Sequence, residues 1–102
     1  MGYYDDNCDN ETKELEAWVY AFRDFLKTND VPVSFAIDST ECIMTIHNTY
    51  SLHINHSEDY WRTGLSFTLN TNYGVVLLHV NMPIELCEQK QLPLFQMILA
   101  II

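Results

Sequence analysis

VSFAIDSTECIMTIHNTYSLHINH, residues 33–56, decides how this chain folds. Val33, Phe35 and Ile37 alternate with Ser34, Ala36 and Asp38. Cys42, Met44 and Ile46 alternate with Ile43, Thr45 and His47, and Tyr50, Leu52, Ile54 and His56 alternate with Ser51, His53 and Asn55. A period of two with one apolar parity is the mark of strands that bury a single face. The pattern continues towards the C-terminus. Trp61, Leu65, Phe67 and Leu69 share one parity, and Val76, Leu78, Val80 and Met82 share the next. Polar connections at 38–41, 48–49, 57–60 and 71–74 separate five strands.

Cross-strand partners on a buried face must match in kind, so register can be tested by opposition. Setting Ile37 against Cys42 brings Phe35 to Met44 and Val33 to Ile46. Ile46 against Leu52 brings Met44 to Ile54. Leu52 against Leu65 brings Tyr50 to Phe67, and Leu69 against Val76 brings Phe67 to Leu78. Four consecutive hairpins close this way, which predicts a five-stranded antiparallel meander.

On the N-terminal side the period changes to that of a helix. Leu15, Trp18, Val19, Phe22 and Leu26 form one apolar stripe over 11–28. Asp9 or Asn10 suits its cap, and Pro32 lies beyond its end. The expectation is an α+β fold of two layers: an N-terminal helix packed on the meander, then a short apolar C-terminal helix. Residues 1–10 read as an acidic, flexible N-terminus and 11–102 as a single domain. Pro83 stops the last strand and Pro93 suits a helix's first turn. The segment that follows is apolar on all sides, more than so small a domain covers. A homodimer is therefore expected, with Leu94, Phe95, Ile98, Leu99 and Ile102 at the contact.

The chain has 102 residues, with Lys+Arg 5 against Asp+Glu 14 and a net charge of −9. At 48% hydrophobic it has the apolar mass for a core, which argues against disorder. The negative field repels phosphate, so direct nucleic-acid binding is not expected. Glycine stands only at 2, 64 and 74, so there is no phosphate-cradling loop. Cys8, Cys42 and Cys87 make neither a CxxC pair nor an even disulfide set. The opening MGYYDD has no basic or apolar run of a signal peptide, and the longest apolar stretch, 97–102, cannot span a bilayer. A cytoplasmic location without membrane contact is the expectation.

No constellation of catalytic chemistry emerges. On these registers His47 and His53 lie diagonally on the outer face, and His79 lies two strands from His47, too far to share a metal. Cys42 opposes His56 on the apolar face, where nothing electropositive would activate a thiolate. No catalytic, metal or cofactor residue is expected, and the chain does not read as an enzyme.

Charge is the strongest functional clue. Residues 1–30 hold three basic and eight acidic side chains, 3 − 8 = −5. A partner contact is expected at Asp5, Asp6, Glu11, Glu14, Glu16 and Asp24, with Glu58, Asp59 and Tyr60 from the third connection. Such a patch steers onto a basic surface, for example the nucleic-acid-binding site of a larger enzyme. In size, acidity and lack of motifs the chain resembles small inhibitors: phage anti-defence proteins, anti-CRISPR proteins among them, and toxin-immunity proteins. That resemblance implies an inhibitor that occupies a basic site. In its order of helix, antiparallel sheet and C-terminal helix the chain is also similar to type III secretion chaperones, which implies a dimeric binding protein. Those chaperones carry a helix between their third and fourth strands, for which 57–60 leaves no room. The third alternative is an enzyme with an unrecognised site.

Overall fold

The computed structural model describes the backbone of residues 2–38, 40–59 and 62–102, and side chains within 13–38, 40–57 and 64–102. Helix α1 spans Gly2–Thr28, so it starts nine residues before the predicted position 11. The stretch read as a flexible N-terminus is thus helical from Gly2 onward. Nothing in 3–28 breaks a helix, since neither Gly nor Pro occurs there. Asp5, Asp6 and Asp9 suit the positive end of the helix dipole. The C-terminus closes with a Schellman motif. Asp30 takes a left-handed φ of 59°, its N–H donates to the Lys27 carbonyl, and the Val31 N–H donates to Leu26 at 2.9 Å. Val31 and Leu26 are both buried, which supplies the apolar contact of that motif.

Five strands follow: β1 (Val33–Ile37), β2 (Glu41–Ile46), β3 (Tyr50–Asp59), β4 (Arg62–Thr71) and β5 (Val76–Pro83). They form one antiparallel sheet in the order β1-β2-β3-β4-β5, the expected meander. The β1–β2 register is the predicted one, with Ile37 opposite Cys42 and Phe35 opposite Met44. The other three differ. Ile46 pairs with Tyr50 rather than Leu52, because His47 and Asn48 both adopt positive φ and Thr49 N–H donates back to Ile46. That is a tight type I′ turn, which shortens the loop. Leu52 pairs with Leu69 rather than Leu65, because residues 57–59, read as loop, belong to the ladder. Leu69 pairs with Leu78 rather than Val76, because a bulge interrupts the ladder between Leu69 and Asn70. Each shift is by an even number of residues, so the buried face is the predicted one.

On that face Met44, Ile54 and Phe67 are fully buried, and Phe35 and Leu78 pack beside them. α1 covers it with Leu15, Trp18, Val19, Phe22 and Leu26. The chain then makes one short turn of helix, α2 (Ile84–Cys87), and ends in α3 (Gln91–Ile101). α3 closes against the same core. Leu94, Phe95 and Ile98, three of the residues expected at a dimer contact, are buried inside the chain instead, and Leu99 and Ile102 are half-buried against that core. The reason is aromatic packing. Phe95 lies 4.9–5.2 Å from the rings of Phe22, Trp18 and Phe25. Leu92 and Met97 are what α3 leaves outside. Among the described residues no helix is long and apolar enough to cross a membrane.

Gly64 pairs with Pro83 where β4 and β5 approach closely. A Cβ there would run into the Met82 carbonyl and lie 3.0 Å from Pro83 Cα. Gly64→Ala should therefore cost about 1–3 kcal/mol in chemical denaturation through overpacking against backbone that cannot yield. A second comparison tests α3. Phe95→Ala should cost about 3–5 kcal/mol, and Met97→Ala less than about 1 kcal/mol, because only Phe95 would leave a cavity.

Candidate functional site

Two surfaces differ in chemistry. The first is acidic. Glu16 is exposed on α1, and Glu14, two residues earlier and half-buried, lies on a different side of the helix, within electrostatic reach of Cys87. Asp24 is tied down: Nε and Nη2 of its neighbour Arg23 both donate to Asp24 Oδ1, at 3.2 and 3.1 Å. Arg23 also lies over the Tyr20 ring, 5.2 Å from its centre. Asp24 therefore contributes less free negative charge than the sequence suggests. Asp5, Asp6 and Glu11 belong to the same helix, but their side chains lie outside the described residues. So do the side chains of Glu58 and Asp59, and all of Tyr60 and Trp61. The structure therefore brings Glu14, Glu16 and Asp24 onto one helix and leaves the Glu58–Tyr60 contribution unplaced.

The second surface is built mainly from segments that carry no formal charge. Residues 64–84 and 91–102 contain no Asp, Glu, Lys or Arg, and they make up most of β4, all of β5 and all of α3. Tyr73, Val75, Val76, Leu77 and Met97 are all exposed on these segments. Beside β5 lies a cavity of about 300 Å³, floored by Val80, Met82 and Leu94 and rimmed by Leu86, Lys90 and Met97. Periodicity could not reveal it, because the cavity depends on where α3 docks.

The sheet face away from the helices is polar and almost uncharged. One row runs Ile43, His53, Thr68, His79 across β2 to β5, and another runs Glu41, Asn55, Ser66, Asn81. Thr68 Oγ1 and His79 Nδ1 share a hydrogen bond of 2.8 Å. The sequence registers set His79 against Ser66; the turn pairs Val76 with Asn70 and the bulge at Leu69/Asn70 adds one more residue, so that His79 meets Thr68. His53 is in the same row but across another strand, about 10 Å away at the usual strand spacing. His47 sits in the β2–β3 turn, not on the strand face. Among the described residues no group of three or more His, Cys, Asp or Glu is placed to hold a metal.

The Cys42–His56 opposition does not occur. Cys42 faces Ile54 and His56 faces Leu65. His56 Nε2 and Trp18 Nε1 are buried without a hydrogen-bond partner among the described residues. Cys42 and Cys87 are buried free thiols. Burial pushes both up to about 11, helped by the nearby carboxylates of Asp38 for Cys42 and of Glu14 and Glu85 for Cys87. Cys87 Sγ also donates to the Pro83 carbonyl at 3.5 Å. These thiols are held protonated at neutral pH, the opposite of an activated nucleophile. Asp38, by contrast, accepts from the Thr40 and Glu41 backbone N–H groups and from the Thr40 hydroxyl, which hold its carboxyl below its ordinary value.

No family model matches the chain, and no curated protein or solved structure is detectably similar to it.

In a Cys8→Ser background, Cys42 and Cys87 should resist a thiol reagent at pH 7 in the native protein and react once it is unfolded. The raised thiol values also set a pH window. The unfolded chain ionises its thiols near 9.0, before the folded chain does, so stability is intact below pH 9 and falls between there and about 11. Denaturation midpoints measured across that range should drop, and should drop less in a Cys42→Ala variant.

Proposed function

We propose that this protein acts by binding another protein, docking its acidic side on a basic, nucleic-acid-binding surface of a larger enzyme and blocking it. The observation that carries this reading is the partition of charge over the fold. The net of −5 in residues 1–30 falls on or next to a single helix, α1, whereas most of β4, all of β5 and α3 hold no charge. A charge scattered evenly would serve solubility. One concentrated along a helix about 40 Å long, at 1.5 Å per residue, makes a directional field. A helix of that length is comparable to a nucleic-acid-binding groove, and its carboxylates meet the same Lys and Arg side chains that phosphates do. The buried, protonated thiols fit a binding protein better than a nucleophilic catalyst.

Immobilised protein exposed to host lysate should retain proteins that elute with added salt and with competing duplex DNA, since both act on the same basic surface. The Glu14→Lys, Glu16→Lys double variant should fold normally and associate with the retained partner about tenfold or more slowly at low ionic strength. Equal association rates for the two forms, or elution indifferent to salt, would overturn the reading.

A further inference from the structure

We infer that the free edge of β5 is a self-association surface, on which a second copy of this chain pairs its own β5 antiparallel, about a twofold axis near His79. The inference concerns the side of the molecule opposite in character to α1 and does not depend on the partner proposed above.

The sheet has two edges, and only one is guarded. β1 is five residues long, follows Pro32 and is itself followed by Asp38. Short strands, prolines and charges are the usual means of blunting an edge. β5 is eight residues long and carries no Lys, Asp or Glu, and its one proline stands at its last position. Among the described residues its outer edge has no strand partner, and beside it Val76 is 57% and Leu77 38% accessible.

Charge selects the occupant. Two copies at −9 each repel wherever their acidic sides approach. The β5 side is where carboxylates are sparsest, because 64–84 and 91–102 carry none and the acids nearest the strand's end, Glu85 and Glu88, share the connection to α3 with Lys90 at the cavity rim. Shape agrees. Exposed apolar residues gather at the start of β5, at Val75, Val76 and Leu77, while the cavity lies along its end, beside Val80, Met82 and Pro83. Knob and hollow thus sit at opposite ends of one strand. Antiparallel pairing near His79 sets residue 78 against 80 and residue 76 against 82 of the other copy, so each start reaches the other's cavity. Both ends are satisfied at once and the contact closes on itself. The even sum of paired numbers also keeps Leu78 and Val80 on the same, helix-covered face.

The area suffices. An eight-residue edge is about 27 Å long, and a sheet and helix layer together are about 20 Å deep, giving on the order of 600 Å² per copy, near the lower range of stable interfaces. The exposed Met97 of α3 lies at the rim and extends the contact into the helix layer.

Sedimentation of the purified chain at micromolar concentration should give twice 11.9 kDa, 2 × 11.9 = 23.8 kDa. The Val76→Lys, Leu77→Lys variant should sediment as an 11.9 kDa monomer with unchanged circular dichroism. So should Met97→Glu, which leaves the strand untouched. Glu16→Lys, on α1, should remain dimeric. Amide exchange should slow in β5 as concentration rises and stay constant in β1. A folded monomer up to about 100 µM, a dimer that survives both edge variants, or concentration-dependent protection in β1 instead of β5 would overturn the inference.

Discussion

Trp18 is the residue around which this molecule is arranged. Its indole lies 4.5 Å from the ring of Phe67 on β4, 5.0 Å from Phe22 on its own helix and 5.0 Å from Phe95 on α3. Three elements distant in sequence therefore share one aromatic contact set. Aromatic pairs of this kind add about 0.5–1.5 kcal/mol each beyond the burial of their area. The geometry matters more than the sum. With Trp18 seated over Phe67, α1 has one rotation about its axis that buries Leu15, Val19, Phe22 and Leu26 together. That rotation turns Glu16 and Lys27 outward.

The same cluster determines what α3 does. Apolar on nearly every side, it has more surface to hide than the domain offers. Phe95 is drawn to Phe22 and Phe25, which fixes Leu94 and Ile98 inside and leaves Leu92 and Met97 outside. α3 therefore caps the end of the core and does not reach the β5 edge. The cavity at Val80, Met82 and Leu94 is the gap between a helix held by its aromatic anchor and the last strand of the sheet.

Hydrophobic alternation made the strand parity legible, and with it the buried face, because a residue on the wrong side of a strand exposes apolar surface to water. It could not make register legible. Shifting a strand by two residues puts another apolar residue in the same place, so Leu52 opposes Leu65 or Leu69 with equal logic. What decides is turn chemistry: left-handed backbone at His47 and Asn48, and a bulge beside Asn70. Asn48 is a residue that tolerates that conformation and His47 does so too, but neither belongs to the glycine-containing pairs that announce such a turn. The start of α1 was hidden for a related reason. The first ten residues lack an apolar stripe, and periodicity reports burial, not helicity. Of the candidate sites, the acidic stretch was visible as composition, and the Asp24–Arg23 pairing that tempers it was not. The β5 edge and its cavity emerged only with the docking of α3.

A chain at −9 faces a conflict between solubility and association. Charge spread over the whole surface would forbid self-contact, and charge removed everywhere would leave every apolar patch free to aggregate. Here the conflict is resolved by topology. A meander places its last strand at the edge, as far in the sheet as possible from its first. The N-terminal helix precedes that sheet in sequence and carries seven of the fourteen acids, and the uncharged segments lie in the C-terminal part of the chain. The two surfaces are not a sheet's width apart, since α1 lies across the sheet with Trp18 on Phe67 of β4 and Phe95 of α3. They stay distinct because α1 turns its apolar stripe onto the sheet while β5 presents an edge without charged side chains.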